Sequence, residues 1–144
     1  MMIRDFCTSD SESVLDIWLR ASIQAHHFVA PEFWHSQLDA MRDIYLPSAI
    51  TRVLEADGAV IGFCSVYQQT LAALFVSPEH QGRGVGAQLL ADAMSAKSML
   101  ELSVYAANAS AIRFYEKQGF VTIRERLDEH TGQPEKVMCW RALS

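Results

Sequence analysis

The 144-residue chain has no apolar run near the roughly 18 residues of a membrane span, and residues 1–10 carry neither a basic leader nor a signal-type apolar stretch. A soluble, cytoplasmic protein with no membrane partner is the expectation. Positive charge is scarce too: 12 Lys and Arg stand against 17 Asp and Glu, a formal charge of -5. Binding to a phosphate backbone runs on clustered Lys and Arg, so no nucleic-acid partner is expected. The 3 cysteines, Cys7, Cys64 and Cys139, lie far apart, with no Cys-x-x-Cys pair and no histidine at zinc-finger spacing. They read as reduced, partly buried thiols, and no metal site is expected. Internal repeats, low-complexity tracts and linkers are missing as well.

Half of the residues are apolar and 20% are charged, which excludes intrinsic disorder. The chain reads as a single domain, 1–144, large enough to bury a core without disulfides or metal. Residues 3–6 suit a short first strand. Thr8, Ser9, Asp10 and Ser11 offer N-caps ahead of Val14, Leu15, Trp18 and Leu19, which predicts a helix over 11–23. His26, His27 and Phe28 follow. Pro31 suits the first turn of a second helix, whose apolar positions Phe33, Trp34, Leu38, Met41, Tyr45 and Leu46 recur at helical intervals until Pro47 stops it.

Residues 51–56 and 60–67 turn to Val, Ile and aromatic types and flank Asp57-Gly58, a hairpin signal; 71–76 extends the meander. Val85, Leu89, Leu90, Ala93 and Met94 then mark a helix, 99–105 a strand, 109–118 a helix stopped by Gly119, and 120–126 with 137–140 a closing strand pair. This order predicts an α/β (α+β) fold: a mixed, mostly antiparallel central sheet flanked by helices, with one crossover.

Gln81-Gly82-Arg83-Gly84-Val85-Gly86 lies where that crossover leaves a strand and enters a helix. Glycine permits positive φ and close approach of backbone amides, and the amides at a helix start have no intrahelical partner. With the helix dipole they favour an anion such as phosphate. A P-loop is excluded, because Gly86 precedes Ala87-Gln88 rather than Lys-Ser/Thr. A Rossmann reading fits Gly82, Gly84 and Ala87 but needs an acid at the end of the next strand, whose one acid, Glu101, sits near its start.

Together with Asn108-Ala109-Ser110-Ala111-Ile112-Arg113-Phe114-Tyr115 and Gly119-Phe120, the loop resembles the two signature motifs of the GNAT superfamily of acetyl-CoA-dependent N-acetyltransferases. The element order is similar from end to end, and the chain looks most like small bacterial members. The resemblance implies that acetyl-CoA is the co-substrate, with its pyrophosphate on Gln81, Gly82, Arg83, Gly84, Val85 and Gly86. It also implies that the pantetheine arm and acetyl carbonyl lie against the backbone of Leu74, Phe75 and Val76. Asn108 would touch the pantetheine or cap its helix. Tyr115, otherwise a core tyrosine, would protonate the departing thiolate, which a phenol of pKa about 10 can do in contact.

The two positions where well-known relatives carry a carboxylate base match Thr70 and Ser103, and neither is acidic. Glu101 shares a strand face with Ser103 and Tyr105 and is one substitute base; a solvated acid is the plainer reading of it. Glu79 and His80 flank the loop. His26, His27 and His35, with Phe28 and Trp34, belong to the segment that borders the acceptor site in the family, and His27, Phe28, Trp34, Thr70 and Ser103 are its candidate contacts. A lysine amine of pKa about 10.4 costs about 4 kcal/mol to neutralise at pH 7.5, whereas a peptide α-amine near 7.8 costs well under 1. Without a good base the α-amine is the easier acceptor. The expected function is acetyl transfer to a primary amine of a peptide, protein or small metabolite, by a monomer or homodimer. The alternative is an idle acyl-CoA-binding module.

Overall fold

A computed structural model describes residues 1–143. Seven strands form one sheet in the order β1-β2-β3-β4-β5-β7-β6: β1 (Met2–Asp5), β2 (Ile50–Ala56), β3 (Ala59–Tyr67), β4 (Thr70–Val76), β5 (Met99–Tyr105), β6 (Val121–Leu127) and β7 (Pro134–Arg141). Every pairing is antiparallel except β4 with β5. The mixed, mostly antiparallel sheet of the sequence reading is therefore present. The β2–β3 turn carries Asp57 at φ 52 and Gly58 at φ 77, the two successive positive angles of a hairpin turn that matches strand twist.

Side-chain alternation divides the core between the two faces. Leu54 and Cys64 join Leu89, Leu90, Leu100 and Leu102 under α5 (Val85–Ser95) and α6 (Ala109–Lys117). Val53 and Phe63 face the other way, beneath α1 (Ser11–Ala25) and α2 (Pro31–Ser36), with Val14, Ile17, Trp18 and Trp34. Gly62 lets α5 close onto β3. A Cβ there would stand 3.0 Å from Leu89 Cδ1, 3.1 Å from Val85 Cγ1 and 3.2 Å from the Phe75 carbonyl.

The second helix departs from expectation. It is broken into α2, α3 (Leu38–Ala40), a wide π turn (Met41–Tyr45) and α4 (Leu46–Ser48), and Pro47 lies inside α4 instead of stopping the helix. The Leu46 N–H reaches back five residues to the Met41 carbonyl. The hydrogen-bond ladder is thus already shifted where proline's missing donor would otherwise break it. The cysteines are free: Cys64 and Cys139 are buried, but Cys7 is exposed. Among the described residues no helix is long and apolar enough to cross a membrane.

Candidate active site

The crossover strands part almost where they meet. Thr70 opposite Glu101 is the register pair between β4 and β5, supported by a 2.8 Å bond from the Glu101 N–H to the Gln69 carbonyl. One cause is visible in β4: Ser65 pairs with Ala73 and Val66 with Leu71, so Ala72 is an unopposed bulge. A bulge bends its strand and increases local twist. β5, in turn, is held along its whole length by β7. The result is a V-shaped cleft of about 1140 Å³, with Leu74, Phe75 and Val76 on one wall and Leu102, Ser103, Val104 and Tyr105 on the other.

Alternation decides which main-chain groups the cleft receives. The Ser77 N–H donates to the Ile61 carbonyl at 2.8 Å, so Ser77 points toward β3. Val76 therefore points away from β3, Phe75 toward it, and Leu74 away again. Leu74 and Val76 offer their peptides to the cleft. Phe75 spends its own on the ladder opposite Phe63 and contributes a ring, stacked on Phe63 at 5.8 Å.

At the open end, Gly82 (φ 78) and Gly84 (φ 79) hold left-handed backbone angles, and Gly84 is the N-cap of α5. A Cβ at either would meet nothing within 4 Å, so conformation rather than space calls for glycine. The turn delivers the orphan amides of Val85, Gly86 and Ala87 to the cleft, all three of which line it. Gln81 fastens the loop to the strand, its Nε2 donating to the Val76 carbonyl at 3.1 Å. Arg83 is exposed and lies outside the lining.

Asn108 is the N-cap of α6: its Oδ1 accepts from the Ala111 N–H at 3.3 Å, and the residue also lines the cleft. About two helical turns further on, Tyr115 packs against Phe114 and Phe120 and reaches the same space. Its hydroxyl makes no hydrogen bond to any described residue. Burial pushes its pKa above the ordinary phenol value.

The acid and histidine candidates separate clearly. Glu101 and Thr70 sit at the closed end of the V, outside the cleft lining, and Glu101 accepts from Arg124 at 3.1 Å. Glu79 ties the loop to α1, bonded to Arg20 at 2.6 Å and to the Ser77 hydroxyl at 2.5 Å; these contacts hold its carboxyl down to about 2. His80 lines the cleft, its ring against the Ser77 hydroxyl at 3.1 Å, while His35 is exposed. His26, not His27, is the buried member of its pair, 5.0 Å from both Trp34 and Tyr105; His27 is exposed and lines the cleft, whereas Phe28 lies outside the lining, its ring 5.8 Å from His26 and 5.4 Å from Tyr105.

A carboxylate that sequence spacing did not single out enters the cleft from β7. Glu135 pairs with Tyr105 across the β5–β7 ladder, lines the cleft, and keeps only 11% of its side chain exposed. Arg126 bridges it to Ser103, donating to Glu135 Oε1 at 2.7 Å and to the Ser103 hydroxyl at 2.9 Å. Only the β5–β7 pairing could have pointed to it.

A model of the acetyltransferase (GNAT) domain matches residues 47–122, more than half of the chain. The chain belongs to the GNAT acetyltransferase family. Among GNAT relatives it is 34% identical over 140 residues to the peptidyl-lysine N-acetyltransferase YiaC of Escherichia coli K12, covering 96% of each chain. The solution structure of apo-form YjaB from Escherichia coli superposes with a TM-score of 0.84 at 28% identity, over 96% of both chains. The PaiA N-acetyltransferase of Thermoplasma acidophilum, solved with coenzyme A, shares the fold: TM-score 0.79 at 18% identity, over 98% of each chain. The GNAT fold and the small bacterial grouping expected from the sequence agree with these likenesses.

Proposed function

We propose that the protein transfers the acetyl group of acetyl-CoA to a primary amine, foremost a lysine side chain of a peptide or protein, by direct attack in a ternary complex. The observation that carries this is convergence on one cleft: the outward peptides of Leu74 and Val76, the orphan amides of α5, and the unpartnered Tyr115 hydroxyl. Anionic pyrophosphate fits the α5 amides and the dipole behind them. The Leu74 and Val76 amides are the donors available to the oxygen that gains charge as the amine attacks. Tyr115 stays neutral because burial raises its pKa, and it gives its proton to the thiolate on contact.

The amine's proton goes to Glu135, directly or through a water. Arg126 occupies Oε1 and leaves Oε2 free. A carboxylate at the cleft removes the ground for favouring a low-pKa amine, and relatives such as YiaC are named for peptidyl-lysine. Release of free thiol from acetyl-CoA is the test, with three acceptors: an N-terminally blocked peptide with one lysine, a lysine-free peptide with a free α-amine, and small alkylamines. Lysine-dependent release with the acetyl group mapped to that side chain is expected. Coenzyme A binding without amine-stimulated release would instead identify an idle acyl-CoA-binding module.

A further inference from the structure

Among the described residues, no Lys or Arg lines the main cleft, although the pyrophosphate assigned to it is strongly anionic. Arg83, Arg113 and Lys117 are exposed and lie outside the lining. The lining side chains able to carry positive charge are the histidines His26, His27 and His80. Burial keeps His26 neutral, its pKa lowered to about 4. His27 is exposed and lies beyond the end of α1. His80 directly precedes Gln81 and Gly82, at the entry to the loop that leads to the α5 amides.

Donor counting fixes the state of the His80 ring. The buried Ser77 hydroxyl has a single proton and two neighbours, Glu79 Oε2 at 2.5 Å and His80 Nδ1 at 3.1 Å. Hydrogen bonds from the Ser77 hydroxyl, the backbone and Arg20 hold the Glu79 carboxyl down to about 2, so near neutral pH it is ionised and can only accept. Ser77 therefore donates to Glu79 and accepts from the Nδ1–H of His80. A neutral ring in this tautomer leaves Nε2 as a bare lone pair, with no hydrogen bond to any described residue. Phosphate oxygens are acceptors too, so the ring can engage them only once Nε2 gains a proton. The ionised Glu79, one hydroxyl away, favours the imidazolium that results. Around this turn the other charged or titratable groups are His27 and, on α1, Arg20 with its partner Asp16; Arg20 is already shared between Asp16 and Glu79.

We propose that His80 is a coenzyme A contact that takes up a proton at Nε2 as the pyrophosphate binds, so that an imidazolium formed on binding serves where a Lys or Arg is missing. The proposal rests on the coenzyme A reading of the cleft and adds to it a proton that binding consumes. Because the complex would hold that proton more tightly than the free protein does, affinity rises as pH falls.

Dephospho-coenzyme A is the probe, since it keeps the pyrophosphate and lacks the 3′-phosphate, whose own titration near neutral pH would enter the proton count. Calorimetric titrations of the whole chain at pH 7.0, in non-phosphate buffers of different ionisation enthalpy, give the protons exchanged per molecule bound. The expected result is a net uptake of about half a proton or more, with affinity falling about threefold or more from pH 6.5 to pH 8.0. In His80→Gln, which offers an N–H without a charge, uptake drops to near zero and affinity no longer depends on pH; in His27→Gln both persist. Binding without proton uptake in the unaltered protein overturns the proposal without any variant and leaves the coenzyme A reading standing. Undiminished uptake in His80→Gln, or its loss in His27→Gln, overturns it as well. Absence of binding at every pH removes the coenzyme A reading and the proposal with it.

Discussion

Leu74 and Phe75 are adjacent on β4 yet present their peptides to opposite sides, Phe75 to the ladder with Phe63 and Leu74 to the cleft. Proline separates the two roles because it deletes one N–H at a time. Phe75→Pro removes a ladder bond in the sheet interior and is expected to cost about 3 kcal/mol or more. Leu74→Pro sits where β4 behaves as an edge and should cost about 1–2 kcal/mol, while turnover falls about 100-fold or more through loss of a donor to the developing oxyanion. Urea unfolding and acetyl-transfer rates on the two variants check both halves.

Tyr115 packs within its ring cluster through its aromatic body alone, since its hydroxyl bonds to no described residue. Tyr115→Phe therefore removes the proton donor and leaves the packing. The turnover number is expected to fall about 100-fold or more, with coenzyme A affinity within about twofold of the unaltered protein. Steady-state kinetics beside calorimetric titration of coenzyme A decide it; an unchanged rate rejects the general-acid role.

Glu135 is the carboxylate that spacing along β5 could not supply. If it takes the amine's proton, its loss weighs most on the acceptor that is hardest to neutralise. Glu135→Gln keeps an oxygen for Arg126 and should lower kcat/KM about tenfold or more for a lysine acceptor. The loss for an α-amine acceptor should be only a few-fold, because the two amines differ by about 2.6 units of pKa. Equal losses on both would assign Glu135 to positioning instead.

Two glycines respond in different ways. At Gly84 a Cβ finds open space, but φ 79 is strained for any β-branched residue, so Gly84→Val should distort the start of α5 and weaken coenzyme A binding about tenfold. At Gly62 a Cβ meets Leu89, Val85 and the Phe75 carbonyl, so Gly62→Ala should push α5 off the sheet and cost about 1–3 kcal/mol. Thermal unfolding detects the second change; ligand titration detects the first.

Local chemistry made much of this legible from sequence. Asp57-Gly58 can turn a hairpin in few ways, and Val14, Leu15, Trp18 and Leu19 mark a helix, so both emerged from single segments, although the face that α1 buries runs through Val14, Ile17, Trp18 and Ala21 and leaves Leu15 and Leu19 only partly covered. The glycine loop and Asn108 are also local devices, each meeting a helix start. What escaped depends on pairings distant in sequence. The Ala72 bulge leaves no mark on β4 itself, and Glu135 comes opposite Tyr105 at the cleft only because β7 inserts between β5 and β6. The π turn ahead of Pro47 was hidden because its apolar spacing, through Met41, Tyr45 and Leu46, is compatible with an ordinary helix. His26 and His27 could not be told apart by type, only by which one the α1 C-terminus turns inward.

His26 gives the fold a pH dependence of its own. It is 8% exposed, its Nδ1 is buried without a hydrogen-bond partner, and desolvation lowers its pKa from 6.5 to about 4, opposed in part by the Ser22 backbone. A depressed histidine pKa means that the unfolded chain binds the proton first. Its contribution is full above about pH 6.5 and is lost as pH falls through the window down to about 4, on the order of 3 kcal/mol in all. Carboxylates held low, such as Glu79 at about 2, lose their contributions from about 4.5 downward, so the interval between pH 6.5 and 5 belongs to His26. His26→Phe keeps an aromatic ring beside Trp34 and Tyr105 and removes both the orphan nitrogen and the titration. Urea midpoints measured at half-unit steps should fall steadily from pH 6.5 to 5 in the unaltered protein and stay nearly level in His26→Phe. Parallel slopes in the two proteins would assign the acid sensitivity to another group.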